Sequence, residues 1–370
     1  MKNLNRASFR SKANYWAAVA SEVAGAPFRR WQKEPPALER WRRGILIGCD
    51  HIGDVLYNTA SLPTLARATP QCEWTYAVSR PADQVLETNP HLRGGLLRLP
   101  VETGKMPWRE LVGLLRAGRF DVAICYDSSS YLRNALAAAA AGIPERIGYV
   151  HKGFSCLPTR PVRIDYPQPF PCYFRDLVAQ VTGLQPPREP RPEVYATPED
   201  EAAADAVLEA KGVRGEHLIA CSLFTRQASG VYAPHYFIEA LRRVQAASDV
   251  RVVFVGAAAE REALARLVEG SGLRHIVVAG DLTVRGSYAL LRRCRAALTT
   301  DSGIRHLSNA AGIPVVYPRN LYFSRAEAGP YCSTDHDIAP SEGGNAELID
   351  GGGLSFDPAQ AAETLLRLLA

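Results

Sequence analysis

Gly44-Ile-Leu-Ile47-Gly-Cys49-Asp50-His51-Ile-Gly53-Asp54 decides the fold class. Three consecutive aliphatic residues break into a polar loop, and residues 55–68 then continue with helical spacing. A short apolar strand, a glycine-bearing loop and a helix form the repeating unit of a parallel α/β sheet. The unit recurs downstream. Strands are predicted at 73–78, 96–99, 122–126 and 146–149, with helices at 81–88, 107–117 and 130–141. After a Pro-rich break the pattern restarts. Strands at 218–221, 251–255, 276–278, 297–299 and 314–317 alternate with helices at 198–211, 234–246, 260–269, 286–294 and 304–311. An amphipathic helix at 358–369 closes the chain.

The break, Gln185-Pro-Pro-Arg-Glu-Pro-Arg-Pro192, is stiff, polar and poor in apolar residues, as domain boundaries are. The organisation predicted is a basic extension over 1–43, an α/β domain over 44–184, a linker over 185–196, a second α/β domain over 197–357 and the last helix over 358–370. Ligands of open α/β sheets bind beyond the carboxyl ends of the strands, so a site is expected in a cleft between the halves. A chain of 370 residues with 47% hydrophobic and 22% charged residues is an ordinary globular protein, which excludes disordered and low-complexity classes. No apolar run approaches the ~18–20 residues of a membrane span. The eight cysteines show no CxxC pair and no metal-ligand spacing. Most lie in apolar segments such as Val122-Ala-Ile-Cys125, which reads as buried, reduced thiols in a cytosolic protein, with no metal site.

Charge is unevenly placed. Residues 1–43 hold ten Lys or Arg against Glu22, Glu34 and Glu39, a charge of +7, so the rest of the chain is −2. A nearly neutral body argues against a nucleic-acid binder. The extension does not read as an export signal, because its apolar stretch over 13–20 is short and is followed by Glu22. Its cations are interleaved with Phe9, Tyr15, Trp16, Phe28, Trp31 and Trp41. Such a mixture suits the surface of an anionic bilayer; the alternative is a helix packed on the body with a solvated basic face.

Three loops could carry chemistry. In the first, Gly53 permits a tight turn and Asp54 opens the helix, either as its cap or as a general base, with Asp50 and His51 as local competitors. In the second, Thr300-Asp301-Ser302-Gly303 leads into a helix bearing His306 and Asn309. Amides at that helix start would bind a diphosphate, or the segment is simply a capped helix with a core histidine. In the third, Ser222-Leu-Phe-Thr225-Arg226 ends a strand with hydroxyls and a cation suited to phosphate. Val252-Val-Phe-Val255-Gly256 followed by Glu260 places a carboxylate where ribose hydroxyls could meet it, though the helix dipole would favour it equally. Neither a GxGxxG motif nor a P-loop occurs, which argues against a dinucleotide enzyme or a kinase-like ATPase.

These residues resemble a known family. Ile52-Gly-Asp-Val-Leu56, with Pro63 and Leu65, is similar to the first loop and helix of glycosyltransferase family 9, the bacterial heptosyltransferases. Arg146-Ile-Gly-Tyr149, followed by Lys152 and Thr159-Arg160, resembles a mid-chain signature of that family. Asp301-Ser-Gly-Ile-Arg-His306-Leu, through Ala311-Gly-Ile-Pro314, resembles its Asp-Thr-Gly-x-x-His-Leu donor motif, and Gly329-Pro-Tyr331 falls where the family has Gly-Pro-Tyr. The resemblance spans roughly 44–369 and leaves the extension unmatched.

The resemblance implies a GT-B fold, two facing Rossmann-like domains with the last helix crossing back to the first. It implies an inverting, metal-independent glycosyltransferase with no cofactor, taking a nucleoside-diphosphate sugar, usually ADP-heptose. The acceptor would be a lipopolysaccharide core or related lipid-linked glycan at the cytoplasmic face of the membrane. Asp54 would be the catalytic base, on an acceptor-side loop with His51 and Gly53. Asp301, Ser302, Gly303 and His306 would hold the diphosphate, Glu260 the ribose, and Leu282 and Thr283 the base. The family usually has a Lys before a Trp-Pro pair, where this chain reads Thr225-Arg226 and, at the Trp, Tyr232. Arg226 is expected to supply that charge. Alternatives on the same fold are a sugar-nucleotide epimerase and a catalytically silent nucleotide-sugar-binding module.

Overall fold

Ile45, Leu46 and Ile47 are fully buried at the centre of a six-stranded parallel sheet, as a continuous apolar run covered on both faces should be. The computed structural model describes residues 12–29, 37–48, 51–102, 104–126, 131–150, 153–225, 231–320, 323–341 and 354–370. The chain divides into two compact units, Met1–Pro190 and Arg191–Ala370.

The first unit runs α1 (Lys12–Arg29), β1 (Arg43–Ile47), α2 (Ile52–Thr59), α3 (Leu62–Ala68), β2 (Glu73–Ser79), α4 (Asp83–Leu86), β3 (Gly95–Leu99), α5 (Trp108–Ala117), β4 (Val122–Cys125), α6 (Tyr131–Ala140), β5 (Glu145–Tyr149), β6 (Arg160–Val162) and α7 (Phe170–Thr182). Its strand order is β3-β2-β1-β4-β5-β6. Growth to one side of β1 stops at β3, and β4 returns to its other side. The topological switch point therefore lies between β1 and β4.

Several expectations change here. The helix predicted over 55–68 is two helices, broken at Ala60-Ser61 just before Pro63. The arm is not wholly a separate extension, since α1 packs on residues 153–156 through buried Ala18 and Glu22. Trp41, read among the arm's aromatics, is a core residue. Its Nε1 donates to Glu145 Oε2 at 2.7 Å, and its ring meets Trp74 edge to face at 6.0 Å. Arg160 donates to the other Glu145 oxygen at 2.7 Å and lies 5.7 Å over the Trp41 ring. The mid-chain signature is thus built into β5 and β6, where Thr159 Oγ1 also accepts from the Arg146 amide at 2.9 Å.

The second unit runs α8 (Pro198–Ala210), β7 (His217–Ser222), α9 (Pro234–Ala247), β8 (Val250–Phe254), α10 (Arg261–Val268), β9 (His275–Val277), α11 (Val284–Leu291), β10 (Cys294–Thr299), α12 (Gly303–Ala311), β11 (Val315–Pro318), α13 (Arg325–Ala328), β12 (Asp335–Ile338) and α14 (Pro358–Leu369). The order β12-β11-β10-β7-β8-β9 repeats the arrangement of the first unit, with the switch point between β7 and β10. The resemblance implied that the last helix crosses to the first half. The structure places α14 in the second unit, where Ala361, Ala362 and Leu365 are buried in a core shared with Phe237, Leu241 and Phe356 of that unit. That apolar stripe fixes the helix to its own sheet.

Among the described residues no helix is long and apolar enough to cross a membrane. Seven cysteines among them are free, all buried except Cys156. Burial pushes the thiols of Cys72 and Cys294 up to about 12, so neither is a nucleophile.

Candidate active site

The first switch point carries one of the predicted loops and the second carries the other two. In the first unit β1 ends at Ile47 and β4 at Cys125, paired in register. The next residues, Gly48 and Tyr126, lie so close that a Cβ on Gly48 would fall 1.9 Å from the Tyr126 ring. Only glycine admits this approach. The Tyr126 ring is held in turn by Phe174 at 5.0 Å and by a hydroxyl contact with Tyr76. The loop then enters α2 with exposed His51 as its N-cap residue and no side-chain cap hydrogen bond. Asp54 is therefore not the cap but the third helical residue, half-buried, beside half-buried Gly53. Its carbonyl accepts from buried Asn58 Nδ2 at 2.7 Å, and Tyr57 stacks on Phe170 of α7 at 6.4 Å. These contacts hold the helix that carries the carboxylate. Asp50 lies outside the described residues.

In the second unit the loops after β7 and β10 are tied together. The Thr300 amide donates to the Ser222 carbonyl at 3.1 Å, and Thr300 Oγ1 to the Phe224 carbonyl at 2.9 Å. Thr225 Oγ1 donates to the Asp301 carbonyl at 3.4 Å. Asp301, Ser302 and Gly303 then start α12, with Ser302 in extended conformation as an N-cap that makes no side-chain cap bond. Among the described residues nothing accepts from the Gly303 and Ile304 amides. Unpaired amides at a helix start attract an anion. Arg226 lies outside the described residues. Tyr232, at the family's Trp position, is buried and donates from its hydroxyl to the Arg319 carbonyl at 2.6 Å.

Beneath this loop lies a buried ionic cluster that sequence reasoning missed. Arg305 donates to both carboxylate oxygens of Asp335, at 3.1 and 2.8 Å, and to Asp301 Oδ1 at 2.9 Å. It also donates to the carbonyls of Ala328 and Gly329 and stacks 3.7 Å over the Tyr317 ring. Burial opposes its charge, but Asp335 and Asp301 outweigh that and hold the guanidinium charged, well above its ordinary range. Asn309 Nδ2 adds a bond to Asp335 at 2.9 Å. His306 Nδ1 lies 2.8 Å from the Tyr331 hydroxyl, and its Nε2 is 4.0 Å from Asp301 Oδ1. Burial, reinforced by the adjacent Arg305 charge, holds the imidazole well below its usual range, so it is neutral at pH 7. The Asp301 charge is thus compensated by Arg305, which lowers its repulsion of an incoming phosphate.

The remaining predicted residues lie farther along the second sheet. Half-buried Glu260 follows β8 and accepts from the Ala257 amide at 2.8 Å through Oε2. Thr283 caps α11, accepting from the Gly286 amide at 2.9 Å and donating to Asp200 at 3.2 Å, with Leu282 half-buried beside it. The Thr283 hydroxyl is accordingly committed to the helix. Among the described residues no three His, Cys, Asp or Glu side chains converge on a metal-sized site.

Two doubly wound parallel units, each with a polar loop at its switch point, have the architecture of GT-B glycosyltransferases. The chain belongs to glycosyltransferase family 9 (heptosyltransferase), whose family model matches residues 108–318. It is an enzyme of that glycosyltransferase family. Its fold is similar to a family 9 glycosyltransferase from Veillonella parvula, at 20% identity and a TM-score of 0.76, over 89% of this chain and 97% of that one. It is also similar to E. coli ADP-heptose lps heptosyltransferase II, at 19% identity and a TM-score of 0.67, over 88% and 98% of the two chains. E. coli heptosyltransferase WaaC with ADP matches at 17% identity and a TM-score of 0.65, over 89% and 100%. No curated protein sequence matches the chain significantly.

Proposed function

We propose that the chain transfers a heptose from ADP-heptose to a lipopolysaccharide core or related lipid-linked glycan, with inversion and without a metal ion. The observation that carries this reading is the loop at the second switch point, where the amides of Gly303 and Ile304 open beside a charge-compensated Asp301. The two E. coli heptosyltransferases of the same fold support the choice of sugar and nucleotide. A UDP-N-acetylglucosamine 2-epimerase-like protein from Listeria monocytogenes shares the fold at a TM-score of only 0.53, which makes epimerisation the weaker reading.

In the proposed step the acceptor hydroxyl gives its proton to the Asp54 carboxylate. Its oxygen attacks the anomeric carbon, and the bond to the diphosphate breaks with the electron pair leaving on phosphate. The amides of Gly303 and Ile304, with Ser302 and Thr225 beside them and Arg226 as the cation, stabilise that charge. Neutral His306 contributes a hydrogen bond rather than a charge. Glu260 meets the ribose, and the segment at Leu282 and Thr283 meets the nucleotide base.

Asp54→Asn tests the reading, because it keeps the size of the side chain and removes its basicity. Turnover of ADP-heptose should fall by about 10²–10⁴ with ADP binding nearly unchanged. Wild-type turnover in Asp54→Asn, together with collapse in His51→Ala, would move the proton transfer to His51.

A further inference from the structure

Strand β11 ends in Val315-Val-Tyr-Pro318, and the residue that follows is Arg319. Beside it β10 runs parallel, with Ala297 paired to Val315 and Leu298 to Val316. That register, continued past Leu298, sets Arg319 level with Asp301, which leads into α12. Each chain is still tied to its outer neighbour at this level. The Thr300 amide donates to the Ser222 carbonyl, and the Arg319 amide to the Ile338 carbonyl at 3.0 Å.

Side chains two residues apart on a strand share a face. The Tyr317 ring lies under Arg305, the third residue of α12, so α12 covers that face. Arg319 stands on the same face, roughly 7 Å further toward the carboxyl edge. The two residues of α12 with open amides, Gly303 and Ile304, lie toward that edge from Arg305 as well. Buried Tyr232 is close to both sides of this arrangement. Its hydroxyl donates to the Arg319 carbonyl at 2.6 Å. Burial raises that hydroxyl above its usual range, and Arg319 and Asp301 both lie near enough to act on it, in opposite directions.

The charge of Arg319 is only partly matched. Its Nε is 3.2 Å from Asp337 Oδ2, yet it is buried and makes no hydrogen bond. Asp337 instead accepts through both oxygens from Arg325, at 2.9 and 3.0 Å. Two guanidinium groups thus share one carboxylate, which leaves a positive charge in excess. The Arg325 side chain is 66% exposed and that of Arg319 only 28%, so solvent screens Arg319 less. A fixed guanidinium adds charge-assisted bonds to those of amides at a helix start.

We propose that Arg319 is a donor-binding residue, whose guanidinium meets the diphosphate of a nucleoside-diphosphate sugar beside the Gly303 and Ile304 amides. Asp337 and Arg325 are its positioning residues. The loop after β7, where the family usually has its Lys, lies on one side of β10, and Arg319 reaches the diphosphate from the other. The role rests on the reading of α12 as the diphosphate site, but not on which sugar is moved.

Calorimetric titration of the full-length protein with ADP tests the proposal. Arg319→Gln should bind ADP about ten- to hundredfold more weakly than the wild type, with Arg319→Lys in between. Asp337→Asn removes the anion that competes for Arg319, so it should bind ADP about two- to tenfold more tightly. That gain should vanish in the double variant R319Q/D337N. An ion pair that only holds the fold predicts the opposite sign for Asp337→Asn. Equal ADP affinity in Arg319→Gln and the wild type would overturn the role, as would weaker binding in Asp337→Asn or a gain there that survives loss of Arg319. A wild type that binds no ADP would remove the donor reading itself, and Arg319 with it.

Discussion

His306 occupies the residue most readily taken for a charged phosphate ligand, yet its surroundings keep it neutral. Burial, with Arg305 alongside, holds its imidazole well below the usual 6.5. The unfolded chain therefore binds a proton near that pH which the native state refuses. Stability from this site is complete above pH 6.5 and declines below it, by up to about 1.4 kcal/mol per pH unit. Half-buried His336, lowered mainly by burial, adds in the same direction. The denaturation midpoint of the wild type should fall between pH 6.5 and 5 more steeply than that of His306→Asn; parallel profiles would contradict a neutral histidine. The motif itself was visible in the sequence because its residues are contiguous. Arg305, Asp335 and Tyr317 were not, since an arginine inside an apolar helix gives no sign of a partner thirty residues away. Trp41 misled for a related reason. Its role depends on Glu145, over a hundred residues downstream.

The helix α12 does two tasks at once. Its first two residues offer amides to an anion, and the third, Arg305, is buried between Asp301 and Asp335. The ionic cluster anchors the helix to β12 and to the chain after α13, which fixes where the amides point. Removing the cation leaves Asp335 buried without its charge partner. Arg305→Leu should cost about 3–5 kcal/mol in denaturant unfolding. A loss below about 1 kcal/mol would mean that the cluster does not hold the helix. Central strands were legible because they are uninterrupted apolar runs, and so were the edge strands β3 and β9, but the edge strands β6 and β12 were not. Strand β12 reads Asp-His-Asp-Ile and is recognisable only once Asp335 is known to be paired. Strand β6 contains Pro161, tolerated because it lies at the sheet edge. Helix α7 begins with Phe170-Pro171 after two further prolines, which look like a loop although Pro suits the first helical turn.

At the scale of the whole chain, alternation of strand and helix, with a Pro-rich stretch near Pro190, carried the two-unit architecture into view before any side chain was placed. Strand order was beyond reach of that pattern, because it depends on which side of the first strand each crossover lands. The structure shows both sheets turning back at the same relative position, and the predicted loops fall at those two turns. The proposed function is a single displacement, in which Asp54 would take the proton and the α12 amides would meet the diphosphate. The most direct measurement is proton NMR of the glycoside formed from ADP-heptose and a heptose-free lipopolysaccharide core. The account predicts one new heptosyl linkage of opposite anomeric configuration, with one ADP released for each linkage formed. A retained configuration, or an epimerised nucleotide sugar with no glycoside, would contradict it.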